Sequence, residues 1–588
     1  MREPATDDPA NAARRAPSRA RRFVVRRGAG LLCSLLLAAM ALNLLAVIRH
    51  RKGITTDETL MIPAGYYQLL TSEFRLVNEH PPLSKALAGL PLPFLRPKTL
   101  ERAPEPDKQW DCVVTFWADN RADFARISFW SRVPMIALAV GLGALTFFFA
   151  RDLFGARAAL FAVALFTLEP TVLAHGRVVQ TDIPAAFGYL LLFHALRRYA
   201  LAPSPRRALW LGLAAGLGVV AKFSMLLAGP ILAAAFLLLL WRAPRDGRER
   251  TALCAHACLA ALALLFVIHA AYSFDLRALA PSDVHLIGLL YPANVANVAR
   301  AVAALARVLP ADFVLGVLWQ IHHNAEGHPA SLLGMYSRTG WWYYFPVAFA
   351  LKTTLPFLLL SLASLAWAGR EFFQRRDPRF LWLLAPVVVY TAFVMTSRIN
   401  IGVRYLLPAY PFLFVLSGAL LERLASSARA RRAGLACVVL LLGWHAFEAA
   451  RAYPDYVPYM NQLAAGRPHW QLLSDSNVEW GDDVRGLADY LKARGETRVR
   501  GALLGGFLTP PYYGLDYADM MVLSNDRLPQ TRYVAVGASY LNGSSAEMAK
   551  PAGRTFTDAE LINFFDAYRR RAPEAVIGGS IYLFREGE

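Results

Sequence analysis

The sequence predicts a polytopic α-helical membrane protein with about 11 transmembrane helices and a periplasmic α/β domain at its C-terminal end. Three observations predict it. Of 588 residues, 56% are hydrophobic and only 18% charged, against roughly 25% charged in ordinary soluble domains, and mean hydropathy is +0.34. Apolar runs of membrane length recur from about residue 29 to residue 450 and then stop. The arginines between those runs crowd into alternate loops.

Residues 1–28 hold eight arginines and no apolar run, so they read as a disordered, basic cytoplasmic arm. The next run, about 31–48, is too long for a signal-peptide core and has no convincing cleavage site, which makes it an anchor. Further runs able to cross a core of roughly 30 Å lie near 133–150, 157–174, 183–197, 208–221, 223–241, 252–271, 343–366, 380–396, 405–421 and 433–449. With the N-terminus inside, the loops "RDLFGAR", "RRYALAPSPRR", "RAPRDGRER", "GREFFQRRDPR" and "ERLASSARARR" hold 18 arginines. The short outside connections hold only Arg177, Lys222, Arg398 and Arg404. That asymmetry is the positive-inside pattern with every span counted, and it leaves the tail outside.

Residues 29–450 are then the membrane domain, with two long periplasmic loops at about 49–132 and 272–342. In the tail, 451–588, the stretches "RVRGALLGGF", "TRYVAVGASYL" and "AVIGGSIYLF" alternate with helical patterns such as "GDDVRGLADYLKARG". Short strands mixed with amphipathic helices predict a small α/β domain.

The net charge of +19 does not indicate nucleic acid. The tail carries 15 Lys+Arg against 17 Asp+Glu, so the excess lies in the membrane part, where basic clusters set topology. Cys33, Cys112, Cys254, Cys258 and Cys437 form neither a disulfide framework nor a zinc spacing. There is no Walker A loop, no dinucleotide fingerprint and no nucleophile elbow.

All distinctive polar residues fall on the outer side. Asp57 and Glu58 follow the first span directly, where a carboxylate at the membrane surface can accept a proton from a hydroxyl, or simply be solvated. In "NEHPPLSK" two prolines fix an extended kink after Glu79 and His80, with Lys85 in reach. Asp182 enters the fourth span beside Pro184, as either a helix-capping acid or a site group. Lys222, between two spans, is either a snorkelling lysine or a phosphate contact. Arg132 and Arg404 open spans two and ten, either as boundary residues or as planar forks for a phosphate. The segment "IHHNAEGHPASLLGMYSRTGWWYYFPVAFALKT" adds three histidines without a standard metal-ligand spacing.

Together "TTDE", "EHPPLSK", "SRVPMIALAVG" and "QTDIPAAF" resemble glycosyltransferase family 39, the dolichyl-phosphate-mannose–protein mannosyltransferase group, in its bacterial form. "INIGVRYLLPAYPF" and "YPDYVPYMNQLA…DSNVEWGDD" extend the resemblance over about residues 30–490. It implies the GT-C fold, a polyprenyl-phosphate sugar donor and an acceptor hydroxyl on the outer side, with inversion at the anomeric carbon. Carried over by motif, Asp57 is the expected general base with Glu58 beside it. His80, Lys85, Arg132, Asp182, Lys222 and Arg404 are expected to shape the donor and phosphate site. The chain has no large sugar-binding insert between spans seven and eight, unlike the eukaryotic enzymes, so the acceptor stays open among an envelope glycan, a lipid and a protein. No metal site is assigned, although Glu58, Glu79, His80 and His175 offer ligands for a divalent cation. The expected partners are the donor, the acceptor and membrane lipids, without nucleic acid. A transporter or flippase is the competing class; it needs polar residues along a path through the membrane rather than gathered at one face.

Overall fold

The computed structural model describes residues 19–100, 109–244, 247–426, 431–522, 527–545 and 557–586. Of the expected basic arm, residues 1–18 lie outside the described residues. From Arg19 onward the chain is already helical, and the first helix runs Arg19–His50. Arginine and alanine are good helix formers, so the arm's last ten residues extend the anchor helix instead of ending before it.

Among the described residues six helices are long and apolar enough to cross a membrane: Gly28–His50, Arg121–Phe154, Phe223–Arg242, Gly247–Ala271, Val403–Ala425 and Arg431–Arg451. The other expected spans are helical but short, interrupted or, for Asp182–Leu201, long enough without being apolar enough. Span 157–174 breaks at Glu169, between Ala156–Leu168 and Pro170–His175. Span 343–366 breaks at Thr353 and Thr354, between Tyr344–Lys352 and Leu355–Arg375. Pro170 explains the first interruption, since a residue preceding proline is driven out of the helical region, and both Pro170 and Pro356 sit in the first turn of the helix that follows, a position that suits proline.

The two segments expected as loops are also largely helical. Helices Thr56–Thr71, Pro82–Gly89 and Gln109–Asp119 fill the first. Helix Phe124–Phe154 begins some nine residues before the expected span. The second contains Pro281–Leu290 and Pro292–Leu305, an apolar pair bent by 119°. If that pair is one broken span, the count rises to seven.

The tail forms a five-stranded mixed sheet. Strand β1 (Ala330–Leu332) and β2 (Met335–Ser337) make a separate small hairpin. The main sheet comprises β3 (Arg498–Ala502), β4 (Asp516–Asp519), β5 (Tyr533–Gly537), β6 (Ala575–Ile577) and β7 (Ile581–Arg585), in the order β4-β3-β5-β7-β6. Strands β3, β4 and β5 run parallel, while β7 is antiparallel to both β5 and β6. The single alternation expected in "AVIGGSIYLF" is two strands, turned at Gly578 and Gly579, whose φ of +59° and +78° is open to glycine at little cost. Helix Val484–Lys492 packs on this sheet through Val484, Leu487 and Leu491.

The sheet hangs from a segment that is woven into the helical part. Lys352 donates through Nζ to the Asn477 carbonyl at 2.6 Å, and Asn461 donates to the carbonyls of Ala350 and Thr353, each at 2.6 Å. Gly53 and Thr56 donate their backbone N–H groups to the carbonyls of Asp482 (2.8 Å) and Trp480 (2.9 Å). Residues 451–483 thus contact the helical part at many points, despite the change of composition at about residue 450.

Candidate functional site

The motif "TTDE" is first of all a helix start. Thr55 caps helix Thr56–Thr71 by accepting the Glu58 N–H, and Glu58 reaches back to the Thr55 N–H at 2.7 Å, a reciprocal capping box. Arg132 grips the same carboxylate through Nε (2.8 Å) and Nη2 (2.7 Å), and the Val179 N–H donates to it at 3.0 Å. Glu58 is wholly buried and its oxygens are saturated. Asp57, one residue earlier, points the other way. Its Oδ2 accepts from Gln180 Nε2 at 2.5 Å and lies 3.3 Å from Arg404 Nη1.

The proline kink is held from below. Pro82 opens helix Pro82–Gly89, which crosses Thr56–Thr71 so closely that a Cβ on Gly65 would stand 1.9 Å from the Lys85 carbonyl oxygen. The Lys85 ammonium donates to the carbonyls of Leu76 (3.2 Å) and Val77 (2.9 Å), pinning the turn that presents Glu79 and His80. Burial pushes the Lys85 pKa down to about 8, against the pull of Glu79. Burial likewise lowers His80 to about 4, opposed by the charge of Asp57, and it pushes Glu79 up.

Asp182 resolves its two readings. Thr181 occupies the N-cap position of helix Asp182–Leu201, and Asp182 is the first helical residue, 2% exposed. Its carboxylate takes Lys222 at 2.6 Å and lies 3.6 Å from Arg404. Lys222 does not run out to the surface: it packs over the Tyr405 ring at 4.2 Å. Arg404 follows Gly402 on the short helical turn Val403–Ala409 and stacks on Trp480 at 4.5 Å. Its Nε is buried and has no partner among the described residues.

These groups face a cavity of about 560 Å³, within the range of small-ligand sites. Asp57, Glu79, His80, Lys222 and Arg404 line its polar side, and Phe223, Leu226, Val317, Ile321, Phe393 and Val394 make an apolar side. Of the expected site residues, Asp57, His80, Lys222 and Arg404 reach the cavity. Glu58, Lys85, Arg132 and Asp182 do not, because each is spent on a buried partner behind the wall.

The sequence reading missed the tail's share. Asp475, Trp480 and Leu504 also line the cavity. Asp475 has φ +55°, and its carboxylate accepts the Ser476 N–H at 2.6 Å. Burial pushes its pKa up, against His328 and Arg404. The signal was present in "DSNVEWGDD", a cluster of acids just after the last apolar run. His323 and His328 also line the cavity. Among the described residues no group of three or more His, Cys, Asp or Glu side chains converges to hold a metal ion. Glu58 is locked to Arg132 and His175 packs against Trp480, so the four candidate ligands for a divalent cation do not form a set.

One sequence comparison meets this geometry. Residues 124–272 match the dolichyl-phosphate-mannose-protein mannosyltransferase family. The matched mannosyltransferase stretch is a quarter of the chain, narrower than the resemblance read from motifs. It includes Arg132, Asp182 and Lys222, and excludes Asp57, His80 and Arg404. No curated protein matches the chain. Solved structures that align with it include ArnT from Cupriavidus metallidurans bound to undecaprenyl phosphate, at 13% identity and TM-score 0.46, covering 94% of this chain and 97% of that one. Another is the oligosaccharyltransferase AglB from Archaeoglobus fulgidus in complex with an inhibitory peptide and a dolichol-phosphate, at 12% identity and TM-score 0.42, covering 86% and 69%.

Proposed function

We propose that the chain is a GT-C-type glycosyltransferase of the bacterial inner membrane, with its N-terminus cytoplasmic and its tail periplasmic. It transfers a sugar from a polyprenyl-phosphate donor to an acceptor hydroxyl on a glycan, lipid or protein. The observation that carries the reading is the cavity itself, where the Asp57 carboxylate, the cations Lys222 and Arg404 and an apolar wall share one space. The mannosyltransferase match supports the donor class.

In this reading the lipid chain lies along the apolar side and the donor phosphate meets Lys222 and Arg404. Arg404 Nε, buried without a partner among the described residues, supplies a donor that a phosphate oxygen would satisfy. Asp57 accepts the proton of the acceptor hydroxyl. The acceptor oxygen forms the new bond to the anomeric carbon as the bond from that carbon to the phosphate oxygen breaks, from the opposite face, with inversion. The leaving lipid phosphate takes the electron pair, and the two cations stabilise its growing charge. Glu58, Arg132, Lys85 and Asp182 position these groups without touching the reactants.

The test is transfer by purified protein in detergent across a panel of polyprenyl-phosphate sugars. Asp57→Asn is expected to bind donor and to lower turnover by about 10²–10⁴-fold, the usual contribution of a general base. Full activity in Asp57→Asn would remove the assigned base. No binding of any lipid-linked sugar by folded protein would favour the transporter class.

A further inference from the structure

A second cavity, of about 490 Å³, opens between the outer end of the first helix and the start of helix Phe124–Phe154. Basic residues line it without any carboxylate: Arg49, Lys52, Arg132 and Arg485 face it together with His50, beside the rings of Phe124, Phe129, Tyr512 and Tyr513. Two of these charges are already matched, Lys52 by Asp455 and Asp483, and Arg132 by Glu58. Among the described residues no acid pairs with Arg49 or Arg485; Arg49 lies over the Phe129 ring at 5.7 Å, and Arg485 donates to the Arg49 carbonyl at 3.0 Å.

The helix Phe124–Phe154 begins at this cavity, with Phe124, Ala125 and Ser128 on its wall, and a short helical turn, Arg121–Asp123, leads into it. Basic residues at the end of the first helix are suited to its C-terminal dipole, but that accounts for a charge on the helix and not for a void that cations surround. Both flanking helices are apolar enough to span a membrane, and each puts an apolar residue, Ile48 or Phe129, on the cavity wall. A ligand with a phosphate at the level of Arg49 and hydrocarbon below it matches this gradient.

We propose that this cavity is a second lipid site, which binds the phosphate-bearing head group of an anionic membrane lipid, apart from the donor cavity. The two sites share a wall. Arg132 lines the lipid cavity and holds Glu58, which in turn holds Val179 beside Gln180, the residue that donates to Asp57. This inference does not depend on the transferase reading, because the binding surface contains none of the residues of the donor cavity.

The test uses full-length delipidated protein and native mass spectrometry, with dioctanoyl phosphatidic acid, dioctanoylglycerol and inorganic phosphate as probes. The expected result is that phosphatidic acid binds, while dioctanoylglycerol and millimolar phosphate do not displace it. The double variant Arg49→Ala/Arg485→Ala is expected to lose one bound lipid per chain, with affinity down at least ~10-fold, since each cation near a lipid surface is worth about 5-fold. Its melting midpoint and its donor-cavity lipid are expected to be unchanged. Equal lipid counts in wild type and double variant, or equal binding of dioctanoylglycerol, would overturn the proposal. Displacement by phosphate alone would overturn the lipid assignment. If the double variant melts early, Arg49→Gln/Arg485→Gln, which keeps the side-chain length and hydrogen bonding, replaces it under the same criteria.

Discussion

Lys222 donates to Asp182 at 2.6 Å from 40 residues further along the chain, and that one carboxylate also faces Arg404 at 3.6 Å. Two cations on the cavity wall are therefore spaced by an acid that never reaches the cavity. Asp182→Asn removes the spacer and adds one net positive charge. Turnover is expected to fall by roughly 10²-fold as the cations move apart, while the KM for the donor stays level or drops. Steady-state kinetics with the active donor checks it; a raised KM at unchanged kcat would assign Asp182 to sugar contact instead.

Arg404 spans Asp57 and Asp182 and lies over the Trp480 ring. Lysine keeps the charge and loses the planar fork. Arg404→Lys is expected to cost about 10–100-fold in turnover with the melting midpoint preserved. An unchanged rate would mean that a point charge suffices at this position.

Glu58 and Arg132 form a buried pair, and breaking such a pair costs about 3–5 kcal/mol because one charge is left without its counterpart. Glu58→Gln is therefore expected to lower the melting midpoint sharply in detergent. Glu58→Gln/Arg132→Met is expected to recover part of that loss. If Glu58→Gln melts like the wild type and loses turnover, Glu58 acts in catalysis after all.

His80 gives a pH dependence with a defined sign. Folding lowers its pKa from 6.5 to about 4, so between those values the unfolded chain binds the extra proton. Its contribution to stability is intact above pH 6.5 and is lost as pH falls toward 4. The melting midpoint of the wild type should lose more across this window than that of His80→Gln, because Glu79 and Asp475 titrate in the opposite sense in both. Parallel curves for the two proteins would show that His80 is not buried neutral.

Much of the helical architecture could be read from apolar runs and arginine placement, since both follow directly from the bilayer as solvent. The interruptions at Glu169 and Thr353 were also present in the sequence, as Pro170 and Pro356, but runs of apolar residues hide a break that changes no composition. Asp57 and Arg404 were legible as polar residues at one depth. What separated Asp57 from Glu58 was not: the two differ only in which way a capping box turns them, and Thr55-x-x-Glu58 was the overlooked sign. Asp475 was missed because the charge balance changes at about residue 450, whereas the contacts do not. Pairings such as Lys52 with Asp483 span 431 residues, and no local spacing encodes them.

That separation sets an order of events. A ribosome adding roughly 5–20 residues per second needs about 20–90 seconds to make the 431 residues that separate Lys52 from its carboxylate. Through that interval the ammonium must stay hydrated or borrow a counter-ion, and the wall formed by Asp475 and Trp480 does not yet exist. The cavity wall is completed only once Asp475, Trp480 and Leu504 have been made, so a polypeptide cut short before the tail lacks one side of the space its helices enclose.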